Sequence, residues 1–284
     1  MRLEFNLLWS YIQQKEENPV SQLILAEKRN DIVLLTLNRP EKRNALSPKM
    51  VEQLDIKLNE ITTDNSIRAV ILTGAGKAFC AGADLAYLQK MSGFSDEENR
   101  QDSDELAALF NKIYAFPKLT VAMVNGPALA GGCGLALCCD YIFSDADAAR
   151  FGFTEVRIGF VPAIVMNFLV RKVSLNIAQH LAMSGAIIRA QEAVDLGLAK
   201  ESFAGTELRN NTFAFLENLL EQNSFQAMIT TKKLFQQLLE IPLKDGLALA
   251  SQTNALSRKS TDCQKGLQSF LNKEKIMWRE AGDQ

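Results

Sequence analysis

The chain is poor in the residues that most often carry polar catalysis. Its 284 residues include one histidine, His180. A lone imidazole leaves no partner for a multi-histidine metal site and little basis for a histidine triad. Its setting, Asn176-Ile-Ala-Gln-His-Leu-Ala-Met, reads as a helix in which it packs or faces water. The five cysteines, Cys80, Cys133, Cys138, Cys139 and Cys263, are odd in number and lack zinc-type spacing. Free thiols in a reducing compartment are expected, with no metal. No apolar run reaches the roughly 18 residues of a membrane span. The opening Met1-Arg-Leu-Glu-Phe-Asn-Leu-Leu-Trp has Glu4 inside its apolar patch and makes a poor secretory signal. With 31 Lys and Arg against 33 Asp and Glu, no excess charge gathers nucleic acid or an anionic membrane. A cytoplasmic protein is expected, whose acid–base work falls to carboxylates and backbone amides.

Apolar residues make up 47% of the chain, enough for a sizeable core, and the length suits one main domain with an appendage. Residues 32–37, 69–73 and 119–125 are buried-strand runs, with shorter strands at 141–144 and 150–153. Ser47-Pro48 opens a helix as N-cap and first residue, with Met50, Val51, Leu54, Leu58 and Ile61 on its inner face. Residues 84–114 read as helical, broken at Ser92-Gly93 and restarted by a capping box from Ser95 to Glu98. The alternation predicts an α/β core over residues 23–204. Residues 1–22 read as an N-terminal extension, helical through 7–14. Four amphipathic helices, at 206–220, 224–239, 243–257 and 262–278, predict a helical subdomain over 205–284. Its apolar faces suit the core or another subunit.

Chemistry concentrates in two short stretches. In Val124–Asp140 an apolar run enters a small-residue turn, Gly-Pro-Ala-Leu-Ala-Gly-Gly, that opens into an apolar helix. Gly131 and Gly132 leave amides bare at the positive end of that helix. Upstream, Ala81-Gly82-Ala83 offers a second bare amide. Two converging N–H donors form an oxyanion hole, each worth about 2.7–4 kcal/mol when aimed at a transition-state oxygen. Cys80 and Cys133 flank these stretches as small packing residues, and Asp140 suits a capping role.

Four segments together resemble the crotonase (enoyl-CoA hydratase/isomerase) superfamily over roughly residues 23–280. They are Asn38-Arg-Pro-Glu-Lys-Arg-Asn-Ala-Leu46, Phe79-Cys-Ala-Gly-Ala-Asp-Leu85, Asn125-Gly-Pro-Ala-Leu-Ala-Gly-Gly-Cys-Gly134 and Phe151-Gly-Phe-Thr-Glu-Val-Arg-Ile-Gly-Phe-Val-Pro162. The resemblance implies a spiral of β-β-α turns with a C-terminal helical region, trimers or paired trimers, and an acyl-CoA thioester as partner. It places the thioester oxygen on the amides of Ala83 and Gly131 and makes Glu155 the acid/base. Lys42, Arg43, Ala45, Ala81, Asp84 and Leu85 fall in the segments that contact the coenzyme A part, and Gly132, Gly134 and Pro162 line the substrate. Coenzyme A enters with the substrate, and no separate cofactor is implied.

One departure matters: classical hydratases of this family carry a second glutamate where this chain has Gly134. Further likeness, in Tyr87-Leu-Gln-Lys-Met91, Pro117-Lys118 and Glu155–Ala163, is to bacterial methylglutaconyl-CoA hydratases. Their substrates carry a second carboxylate, which can help the attacking water. Arg157 is a candidate partner for that carboxylate, because on a strand it points the same way as Glu155. The alternative for Arg157 is an ion pair with Glu155 or a surface acid. An enoyl-CoA isomerase or a methylglutaconyl-CoA decarboxylase also needs only one carboxylate. A non-catalytic acyl-CoA-binding relative is the reading from another class, and Glu155 argues against it.

Overall fold

The computed structural model describes residues 22–279; the extension expected over 1–22 lies almost wholly outside them. The chain begins as a hairpin of β1 (Ile24–Arg29) and β2 (Ile32–Leu37), turned at Asn30, which takes a left-handed φ of 55°. Asparagine tolerates that conformation because its side chain is short and polar. A 3₁₀ turn at Pro40–Lys42 leads to α1 (Pro48–Thr63). The Ser47 side chain caps α1 by accepting from the Met50 amide, and Met50, Leu54, Leu58 and Ile61 are buried. That spacing of three and four residues is one helix face.

Next come β3 (Ala69–Gly74), α2 (Leu85–Met91), α3 (Asp96–Tyr114), β4 (Leu119–Val124), β5 (Pro127–Leu129), α4 (Gly131–Leu137), β6 (Tyr141–Asp145) and β7 (Arg150–Gly152). The capping box of Ser95 and Glu98 is present at the start of α3. A 3₁₀ turn at Thr154–Ile158 precedes α5 (Ala163–Leu169), α6 (Leu175–Ser184), β8 (Ile187–Arg189), α7 (Ala190–Asp195) and β9 (Glu201–Phe203). His180 is exposed on α6. Four helices follow: α8 (Gly205–Gln222), α9 (Phe225–Leu238), α10 (Leu243–Ser257) and α11 (Thr261–Asn272).

Six strands form the main sheet in the order β1-β2-β3-β4-β6-β9, all parallel except β1. A second sheet has the order β5-β7-β8. Alternate residues of the parallel strands feed two cores, as the two-residue period of a strand requires. Leu35, Val70, Leu72, Ala122 and Val124 meet α1, α3 and α4 on one face. Ile32, Leu34, Ile71, Val121 and Phe143 meet Leu208, Phe213, Leu216 and Leu220 of α8 on the other.

The helix α8 therefore belongs to the main core, since it covers the second face of the sheet. The outlying helices begin at α9. The last helix ends at Asn272, short of the expected 278, because Lys273 turns left-handed (φ 58°). Strands β1, β5, β8 and β9 were not apparent in the sequence. The three last are only three residues long, and β1 is an edge strand buried only at Ile24.

Candidate active site

Two asparagines shape the loop that leaves β3. Asn44 is fully buried; it donates to the carbonyls of Ala75 (2.9 Å) and Ala78 (2.8 Å) and accepts from the Arg39 amide (2.9 Å). Asn125 donates to the carbonyls of Gly74 (2.9 Å) and Gly76 (3.1 Å) and accepts from the Gly74 amide (3.1 Å). Buried amides of this kind fix a loop because each polar atom needs its partner. Both residues sit in the quoted motifs, but nothing in their spacing shows what they bind.

The loop is then stitched to its neighbours by backbone bonds. Ala81 N donates to Arg43 O (3.0 Å), Leu46 N to Gly82 O (2.7 Å), Asp84 N to Leu46 O (3.0 Å) and Leu129 N to Cys80 O (3.0 Å). Gly132 permits the closest approach, since a Cβ there would overlap the Cys80 carbonyl oxygen. Gly82 (φ 93°) lies against Ala130 and Gly131: its Cβ would stand 2.9 Å from Ala130 Cβ and 3.6 Å from Gly131 N. Among the described residues the amides of Ala83 and Gly131 donate to no protein acceptor, and both residues are half-buried.

Ala130 sets the direction of the second amide. It holds φ 52° and ψ −127°, a conformation alanine rarely adopts. Its N–H donates to Gly152 O (2.8 Å) and its C=O accepts from Gly134 N (3.1 Å). In a trans peptide C=O and N–H point in opposite directions. A carbonyl turned into α4 therefore turns the Gly131 N–H out of its amino end.

Glu155 lies in the 3₁₀ turn and is 8% exposed, and among the described residues its Oε2 has no hydrogen-bond partner. Burial raises its pKa, because a charged carboxylate is poorly solvated there. Glu155 charge in turn adds to the effect of burial on Cys133, whose thiol is pushed up to about 12. Burial does the same to Cys80, also to about 12, so neither sulfur is a ready nucleophile. Gly134 is buried, and a Cβ there would overlap Val165 Cγ1 and stand 2.9 Å from Phe110 Cε2. The space beside Gly134 is thus filled with hydrocarbon, and Gly134 offers a ligand little surface.

The strand geometry expected for Arg157 is not found. Residues 154–158 form a 3₁₀ turn, closed by Gly159 at φ 76°, so positions 155 and 157 diverge. Glu155 is buried while Arg157 is exposed and lies along Gly185, where an added Cβ would meet its Cγ and Nε at 3.2 Å.

Of the remaining positions, Lys42 and Arg43 are exposed on the first 3₁₀ turn and Ala45 is buried behind it. Ala81 is half-buried and Leu85 is 72% exposed. The Asp84 carboxylate caps α2 through Ala86 N (2.9 Å) and pairs with Arg39 Nη1 (2.6 Å). The Arg39 bond holds its pKa below the usual carboxylate range. Pro162 is buried at the start of α5. Arg39 was missed in the sequence, as was the bond from Tyr87 Oη to Asp102 (2.7 Å), because both partners are remote in the chain.

Comparison with known proteins finds relatives along most of the chain. The profile of the enoyl-CoA hydratase/isomerase family matches residues 27–281. A Thermus thermophilus protein provisionally named enoyl-CoA hydratase is 42% identical over 87% of this chain and 96% of its own length. The 2,3-dehydroadipyl-CoA hydratase of Escherichia coli is 34% identical over 89% and 97%. Among solved structures, Pseudomonas aeruginosa AtuE superposes with a TM-score of 0.85 at 32% identity, covering 91% of this chain and all 100% of that one. With a fold of two sheets wound as β-β-α turns and a profile match along nearly its whole length, the chain belongs to the enoyl-CoA hydratase/isomerase family, the crotonase superfamily.

Proposed function

We propose that this protein hydrates an enoyl-CoA thioester through an enolate, with 3-methylglutaconyl-CoA or a similarly branched dicarboxylic acyl group as substrate. The observation that carries the reading is the buried, partnerless Glu155 Oε2 in a chain whose Ala83 and Gly131 amides are both unused. The thioester oxygen sits between those amides. Water adds to Cβ, its proton passes to Glu155, and the double-bond electrons move through Cα into the carbonyl, leaving an enolate oxygen on the two N–H groups. Glu155 then returns the proton to Cα. The addition is redox-neutral and one carboxylate balances it, so coenzyme A enters only as part of the substrate and the chemistry calls for no other cofactor.

The hydrocarbon around Gly134 leaves the attacking water without a second protein carboxylate, which favours a substrate that brings its own. The dicarboxylic acyl group in the name of the 34%-identical dehydroadipyl-CoA hydratase supports the same class. Lys42 and Arg43 suit the phosphates of coenzyme A, and the exposed Leu85 its adenine. The exposed apolar side chains of α10 and α11 suit copies of the chain in a trimer or a pair of trimers. The same one-carboxylate site also supports an isomerase, since moving a double bond needs one proton shuttle.

The test is mass spectrometry of products from 3-methylglutaconyl-CoA and crotonyl-CoA in ¹⁸O-labelled water. Labelled hydroxymethylglutaryl-CoA from wild type, with turnover lowered about 10²–10⁴-fold in Glu155→Gln, is the expected result. A shifted double bond without label makes the protein an isomerase, and loss of carbon dioxide makes it a decarboxylase. Binding without turnover in wild type leaves the acyl-CoA-binding reading.

A further inference from the structure

The carboxyl end of α4 runs into a half-buried cluster of charge that the reaction scheme does not use. Lys172, in the turn after α5, donates from Nζ to the carbonyls of Cys139 (2.7 Å) and Asp140 (3.2 Å). These carbonyls directly follow the C-cap of α4, Cys138. The Asp140 carboxylate accepts from Thr120 N (2.8 Å), Thr120 Oγ1 (3.1 Å) and Lys232 Nζ (2.8 Å). Lys232 lies on α9 and also donates to Lys118 O (3.0 Å). The Lys232 and Asp140 side chains are only 10% and 19% exposed.

Burial lowers the Lys172 pKa and the Asp140 charge beside it opposes that shift; with both lysines protonated, two ammonium groups and one carboxylate leave a single net positive charge. The neighbouring thiols do not offset it: burial pushes Cys139 up to about 12 and Cys138 well above its ordinary value. A cation at the carboxyl end of a helix cancels the negative pole there. The seven residues of α4 span only about 10 Å, so both poles act on whatever sits at Gly131. The cluster is half-buried, so salt screens it less than a fully exposed pair.

We infer that Lys172 is a positioning residue for the oxyanion hole: by pinning and neutralising the carboxyl end of α4 it leaves the positive pole at the Gly131 amide unopposed. The inference rests on the enolate reading of the site. Lys232 holds the device from α9 through Asp140, which ties the outlying helices to the same end of α4. Nothing in the residue types around Lys172 announces this, because the turn after α5 meets α4 only in the folded chain.

The experiment measures how strongly the site polarises a bound carbonyl. A CoA thioester of a para-amino cinnamic acid absorbs at longer wavelength as its carbonyl is drawn toward an enolate. Lys172→Gln keeps an N–H donor for Cys139 O and removes the charge. Its red shift is expected to fall clearly below that of wild type, with kcat down about tenfold and KM unchanged, and Lys172→Arg restores both. A folded Lys172→Gln with the wild-type shift and kcat overturns the inference while leaving the enolate reading intact. If Lys172→Gln does not fold, Lys232→Gln removes the same unit of charge from the other side of Asp140. It is expected to lose red shift in the same way, and an unchanged shift there overturns the inference. A wild type that neither shifts nor turns over the thioester brings down the enolate reading, and this inference with it.

Discussion

The surroundings of α4 and the helices α10 and α11 use apolar residues in opposite ways. From Gly132 to Leu137 every residue of α4 is buried, and two of its glycines are glycines because other atoms already occupy the space. In α10 and α11 the only buried residue is Gly246, while Leu243 (80%), Phe270 (81%) and Leu271 (75%) are exposed. The first region is completed by its own chain. The second presents large apolar side chains to water, and such side chains mark an interaction surface where they are contiguous. The difference predicts where substitution damages the fold and where it leaves the fold intact.

The largest effect is expected at Gly132→Ala. The new methyl group would overlap the Cys80 carbonyl, a backbone atom held by the bond from Leu129 N, so neither side can yield cheaply. Destabilisation of about 3 kcal/mol or more is expected from overpacking at a fixed backbone contact, with turnover abolished. Denaturant melts and the labelled-water assay check both. Full stability in the alanine variant would break the contrast at its firmest point.

A smaller effect with a defined sign concerns Glu155. Its folded pKa is raised by burial, so its stabilising contribution is complete below the unfolded pKa and is lost as pH rises through the folded one. Once ionised, the unpartnered carboxylate therefore opposes folding. Glu155→Gln should gain melting temperature over wild type as pH rises through the range in which Glu155 ionises, and lose that advantage at lower pH. Hydration needs the ionised form, so kcat/KM should fall on acidification starting above the range of an ordinary carboxylate. Thermal melts and a pH–rate profile check the two halves, and the same burial must explain both.

How much of this was legible in the sequence divides along the same line. The helix α1 was readable because Ser47-Pro48 marks its start and Met50, Leu54, Leu58 and Ile61 mark its face, all within sixteen residues. Strands β2, β3 and β4 were readable as apolar runs buried on both faces. Arg157 was placed beside Glu155 on the geometry of a strand, which the turn at residues 154–158 does not have. The bond from Phe160 N to Glu155 O (3.0 Å) and the left-handed Gly159 decide otherwise. The position of Glu155 was legible from its motif, but its lack of a partner was not, since that depends on which distant groups fail to reach it. Arg39, Tyr87 and Lys172 stayed hidden for the complementary reason: each acts on a residue at least 15 positions away.

On the other side of the contrast, Phe270→Asp in α11 should change the chain's own stability by no more than about 0.5 kcal/mol, as exposed positions do. If α11 is covered by another copy, the buried charge should weaken association by about 2 kcal/mol or more. Sedimentation velocity across a concentration series reads the assembly, and melting of the dissociated chain reads the fold. An assembly as tight as wild type would show that α11 faces water, and the two regions would then differ in exposure without differing in purpose.

The smallest effect tests whether strain at the site serves the site. Ala130 sits at φ 52° and ψ −127°, which for alanine costs about 1–3 kcal/mol. Ala130→Gly removes most of that penalty and adds about 0.5–1 kcal/mol of backbone entropy to the unfolded chain. A net gain of about 1 kcal/mol in stability is expected on balance. Turnover should hardly change, because the direction of the Gly131 amide is set from both sides of residue 130 and not by its side chain. The bond to Gly152 O holds its N–H, and the bond from Gly134 N holds its C=O. If the glycine variant is instead more stable but clearly slower, the alanine methyl group itself narrows the peptide's orientation, and the strain is part of how the second amide is aimed.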